Sequence, residues 1–108
     1  MKLYILGPDG RTLVCVEDPL EWALWWAANR NAGIVASITV GHVRISTVLL
    51  RFDHSHAEGT PQLFETALLD QAGNAEQFRT VCARYATWEE AEAGHAEIVR
   101  TIKREQVN

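Results

Sequence analysis

The chain has 108 residues, 47% hydrophobic and 22% charged, which is room for one domain over 1–108 with a single core and no staples. Ten basic residues against fourteen acidic ones leave a net charge of −4, which argues against a general nucleic-acid or anionic-membrane binder, since either needs a basic field. No apolar run reaches the roughly 18–20 residues that cross a bilayer, and no charged-then-apolar secretion signal is read at the start, so a soluble intracellular protein is expected; Cys15 and Cys82 form no CxxC and fall in different expected strands, where they could pair but read better as two buried thiols in a reducing cytosol.

Residues 2–6 and 12–16 are short β-type runs separated by Gly7-Pro8-Asp9-Gly10, whose residue types suit a tight reversal, so a hairpin is expected. Asp18-Pro19-Leu20-Glu21 then starts a helix: Asp18 can accept from the free first-turn amides, Pro19 sits where a missing N–H costs nothing, and Glu21 can close a capping box. This helix is expected to run to about residue 31 and to stop near Gly33. Leu20, Trp22, Ala23, Leu24, Trp25, Trp26, Ala27 and Ala28 make it apolar around nearly its whole circumference. Such a helix is either deeply covered or offers a second apolar face to a partner.

Residues 34–40 and 43–52 are rich in β-branched side chains, with Gly41-His42 as a two-residue turn between them. Val43, Ile45, Thr47 and Leu49 fall on one face of the second run, and its far end is apolar on both faces, which suits a central strand. Residues 53–61 read as a loop, 62–69 as a strand, 70–77 as a turn and 78–85 as the last strand. Thr87-Trp88-Glu89-Glu90 is a second capping box, opening a helix to about residue 105 with Trp88, Ala91, His95, Ile98, Val99 and Ile102 on one side. Gly94 inside that helix costs about 1 kcal/mol against alanine, and close approach to the sheet is the expected return. The order β-β-α-β-β-β-β-α makes an α+β fold, with a mainly antiparallel sheet of five to six strands and two helices packed on it.

Three segments also form a set: Ser46-Thr47-Val48-Leu49-Leu50-Arg51-Phe52-Asp53-His54, then Leu63-Phe64-Glu65-Thr66, then Tyr85-Ala86-Thr87-Trp88-Glu89-Glu90-Ala91-Glu92-Ala93-Gly94-His95. The set resembles a family of small uncharacterised proteins encoded by bacteriophages, prophages and other mobile elements, with the pattern STVFLGLDH, LFETMVFG and Y-x-TW-x-EA-x-x-GH. Asp18, Trp22, Ala23 and Trp26 are similar to that family's first helix, while Arg51 stands where its central strand has glycine. The resemblance implies a mobile-element setting and an α+β fold, and assigns no catalytic residue.

The chemistry-bearing residues each have a structural and a functional reading. Asp53, His54 and His56 could ligate a metal if their loop turned to bring them together, or could simply form a polar loop; no HExxH helix or second ligand pair supports a metal centre, and no cofactor is expected. Glu65 interrupts an apolar strand, as a desolvated general base, as the partner of Arg44, Arg51 or Arg84 on a neighbouring strand, or as a side chain that simply faces water. His95, on the apolar stripe of the last helix, is either a proton shuttle or a part-buried imidazole bonded to a carbonyl or carboxylate. Convergence of His54, Glu65 and His95 in one cleft would favour an enzyme.

Of Trp22, Trp25 and Trp26, two share a face and the third points elsewhere, so Trp25 or Trp26 could anchor a contact. The leading expectation is a binding protein that occupies a host bacterial protein, plausibly an immunity component in the manner of an anti-CRISPR, within the host cytoplasm. Its contacts would come from Trp25, Trp26 and the charged loop with Arg51 nearby. A small enzyme or nucleotide sponge with a pocket between sheet and helix is the alternative, and a virion accessory protein a third. Free sheet edges leave a homodimer open.

Overall fold

The computed structural model describes residues 2–52, 61–70 and 79–107. The elements are β1 (Leu3–Leu6), β2 (Leu13–Val16), α1 (Pro19–Ala28), β3 (Ile34–Val40), β4 (Val43–Leu49), β5 (Phe64–Asp70), β6 (Arg79–Tyr85) and α2 (Trp88–Val107). The α+β order is the expected one. The strands, all antiparallel, divide into two sheets rather than one: the β1–β2 hairpin and a four-stranded sheet in the order β3-β4-β5-β6.

Turn chemistry sets both hairpins. In the first, the Asp9 carboxylate accepts from the Thr12 hydroxyl and from the Arg11 and Thr12 amides. These bonds favour its charged form, the Thr12 hydroxyl most, and hold its pKa at about 2. Gly10 takes φ 72°, a left-handed conformation that glycine adopts without a Cβ clash. In the second, Val40 pairs with Val43 across Gly41 and His42, and only Gly41 has positive φ, which fits a type II′ turn.

α1 starts as expected, with the Leu20 amide donating to Asp18 Oδ1 at 3.0 Å, but it ends three residues early. Asn29 is the reason. Its backbone N–H donates to Trp26 O and its side-chain amide to Trp25 O, so the last turn is satisfied before Gly33 is reached. Gly33 instead serves a close approach: a Cβ there would lie 2.7 Å from Leu49 Cβ.

β4 and β5 are regular central strands, while each edge strand carries one extra residue, Val35 in β3 and Cys82 in β6. Bulges twist an edge away from further pairing at those two points. The buried side chains Ile45, Thr47 and Leu49 of β4 and Phe64 and Thr66 of β5 lie on the sheet face under α2. α2 is capped by Thr87, whose hydroxyl accepts from the Glu90 amide at 3.1 Å; Glu90 reaches back to the Ala86 amide, one residue beyond the expected cap. At its other end the Gln106 amide donates to Val40 O at 2.9 Å, fastening the helix to the β3–β4 turn. α1 packs on the hairpin and reaches the core through Trp26, which clusters with Leu6, Leu49, Leu63, Phe64 and Ala91 and donates its ring N–H to Tyr4 O. Cys15 and Cys82 are free but exposed, not buried: Cys15 lies on the outer side of a two-stranded hairpin, and Cys82 is the bulge residue of an edge strand.

Candidate functional site

The register that pairs Thr47 with Thr66 places both hydroxyls on the face under α2, and the helix stripe lowers His95 onto them. The hydroxyls lie 2.6 Å apart, and His95 Nδ1 lies 2.7 Å from Thr47 Oγ1. Thr66 donates to the Tyr85 hydroxyl at 3.2 Å. Each hydroxyl carries one proton, so the bonds run one way: His95 Nδ1–H to Thr47, Thr47 to Thr66, Thr66 to Tyr85. Both the neutral Nδ1–H tautomer and the imidazolium can donate this bond. Burial favours the neutral one, since His95 is 8% exposed and desolvation pushes its pKa below the ordinary value. Gly94 makes room for the last member, because a Cβ there would meet the Tyr85 ring at 2.3 Å.

The three sequence segments are thus joined by one buried hydrogen-bond chain. Thr47 comes from the first, Thr66 from the second, Tyr85 and His95 from the third. The partner of His95 is a hydroxyl, not the expected carbonyl or carboxylate. No carboxylate bonds to His95 among the described residues.

Glu65 does not join this chain. Alternation along β5 turns it to the opposite face from Thr66, the face that α2 leaves uncovered. There it is 2% exposed, with Oε2 accepting from Arg84 Nε at 3.1 Å and Oε1 from Arg79. Arg84 is one of the expected partners; Arg44 and Arg51 are not used, and Arg79 was missed. Sequence could have flagged Arg79 only with the β5–β6 register in hand, because it lies across from Leu69. Asp53, His54 and His56 fall outside the described residues. Among the described residues no group of three His, Cys, Asp or Glu could hold a metal ion, and no helix is long and apolar enough to cross a membrane.

The tryptophans turn inward. Trp26 is 4% exposed, and Trp22 and Trp25 are half-buried, Trp25 meeting Trp26 edge-on at 5.0 Å. Of the two candidate anchors, Trp26 is not at the surface: it fills the core beside Leu49 and Phe64. The outward face of α1 is instead Leu20 and Leu24, 63% and 61% exposed, with exposed Ala23, Ala27 and Ala28 beside them. Helix periodicity explains the division, since residues four apart share a side. Trp22 and Trp26 take the inner side, Leu20 and Leu24 the outer. Two clefts flank these elements. One of about 420 Å³ lies between the hairpin and the start of α2, where Arg11 sits 5.6 Å from the Trp88 ring centroid. The other, of about 510 Å³, is lined by Trp22, Ala23, Trp26, Ala27, Arg30 and Arg51.

Compared with known proteins, the chain matches no family model, no curated protein and no solved structure.

Proposed function

We propose that this is a non-catalytic binding protein of phage or mobile-element origin that inhibits a host bacterial protein by occupying its surface, an immunity component in the manner of an anti-CRISPR. The mobile-element setting rests on the three motif segments and their resemblance. The mode of action rests on one observation: Leu20 and Leu24 stand out from α1 on a face with no charged side chain between them. A helix that presents exposed apolar side chains one turn apart can lay them into a groove on its partner. The titratable groups that could have argued for catalysis support the same reading, because His95 and Glu65 are bound internally on opposite faces of the sheet.

The test is expression in bacteria whose CRISPR immunity restricts a targeted phage. Wild type raises plating of that phage, and Leu20→Glu with Leu24→Glu abolishes the rise while the variant stays folded by circular dichroism. Both sites are exposed, so the fold changes little, whereas Trp26→Ala would cost about 3–5 kcal/mol and test only stability. Full restriction with wild type across the immune systems tried removes the inhibitor reading. Undiminished activity in the double variant removes the α1 surface.

A further inference from the structure

The cleft beside α1 has an unusual chemical complement. Trp22 and Trp26, one helical turn apart, form an indole wall with Ala23 and Ala27, and Arg30 and Arg51 bound it. Among the described residues every side-chain polar group lining it is a donor and none an acceptor, because indole offers only N–H and guanidinium only N–H. The Trp26 ring N–H is committed to Tyr4 O. The Trp22 ring N–H is buried with no partner. Arg30 and Arg51 make no hydrogen bond or ion pair among the described residues. Arg51 lies 4.9 Å from the Trp26 ring centroid. A guanidinium held over an indole keeps its N–H edge free, and that edge matches a carboxylate or phosphate with two parallel bonds. Two positive charges with no ion-pair partner among the described residues therefore sit beside an apolar wall, in a chain whose net charge is −4.

We propose that this cleft is a binding site for a small planar anion, a carboxylate or phosphate carried on an aromatic body. The aromatic body lies against Trp22, Ala23 and Ala27, and the anionic group bridges Arg30 and Arg51. Leu20 and Leu24 do not line the cleft, which shares only Ala23 and Ala27 with the outward face of α1.

The experiment is calorimetric titration of the full chain with adenosine monophosphate and with benzoate, beside their uncharged counterparts adenosine and benzamide. Indole N–H resonances are followed in parallel. Expected is saturable binding of at least one anion with a shift of the Trp22 resonance, and binding at least about tenfold weaker for its neutral counterpart, the factor worth 1.4 kcal/mol. Arg51→Gln and Arg30→Gln each weaken the anion by about tenfold or more with an unchanged thermal midpoint. Whether the phosphate or the carboxylate binds distinguishes the two sources of the charge. No saturable binding by either anion overturns the proposal, and so does equal binding of the neutral counterparts or undiminished binding by both arginine variants.

Discussion

Replacing Gly94 by alanine sets two effects of opposite sign against each other. In an isolated helix the substitution stabilises by about 1 kcal/mol, through lower backbone entropy in the unfolded chain. In this protein the new Cβ would lie 2.3 Å from Tyr85 Cε1 and from its hydroxyl oxygen. Ordinary carbon contacts are about 3.5 Å or more, so the ring must move by about 1 Å. The ring is not a free end, because Thr66 donates to its hydroxyl and Tyr85 is part-buried at the end of β6. Overpacking of this kind costs about 1–3 kcal/mol, and a lost hydrogen bond about 1 more. Less the propensity gain, Gly94→Ala is expected to destabilise by about 1–3 kcal/mol. Urea denaturation followed by circular dichroism measures it, with the slope m checked for constancy. The decisive comparison is a double-mutant cycle with Tyr85→Ala. With the ring gone, Gly94→Ala should become neutral or stabilising. A stabilising effect in the wild-type background would refute the argument that Gly94 exists to admit Tyr85.

Two further predictions concern the buried polar groups. Arg79→Gln with Arg84→Gln strands the Glu65 carboxylate, 2% exposed, and should cost about 3–5 kcal/mol; Glu65→Gln leaves two guanidiniums that are 50% and 39% exposed and that water can solvate, and should cost only about 1–2 kcal/mol. Urea midpoints in the reverse order would mean that Glu65 is not the desolvated partner. For His95, burial lowers the folded-state pKa from its ordinary 6.5, so on acidification the unfolded chain takes up a proton first. Stability therefore falls as pH drops below about 6.5 until the folded pKa is passed, and is unaffected by this group above that window. Stability measured between about pH 7 and pH 5 should slope less in His95→Gln than in wild type, and an unchanged slope would show that His95 is not the titrating group.

Local order determines much of this protein. Asp18-Pro19, Thr87 and Glu90 are helix starts whose chemistry acts within four residues, so the N-termini of α1 and α2 are legible in the chain itself. The Gly41-His42 turn sets the β3–β4 register because only two residues separate the strands. The alternation of Ile45, Thr47 and Leu49 identifies the buried face of β4 before any partner is known. The end of α1 was less legible, because Asn29 competes with Gly33 as a stop and nothing local ranks them.

What tertiary structure alone decided is which residues meet. The β4–β5 and β5–β6 strands are separated by more residues than the two-residue turn that sets the β3–β4 register. Their registers choose Thr66 as the partner of Thr47, bring Arg79 to Glu65, and send Glu65 and His95 to opposite sides of the sheet. A helix apolar all round likewise names no inner face. The hairpin and the core chose Trp26 for the interior, because only the assembled walls of Tyr4, Leu49 and Phe64 give a large ring its contacts and its N–H an acceptor, and that choice left Leu20 and Leu24 facing water.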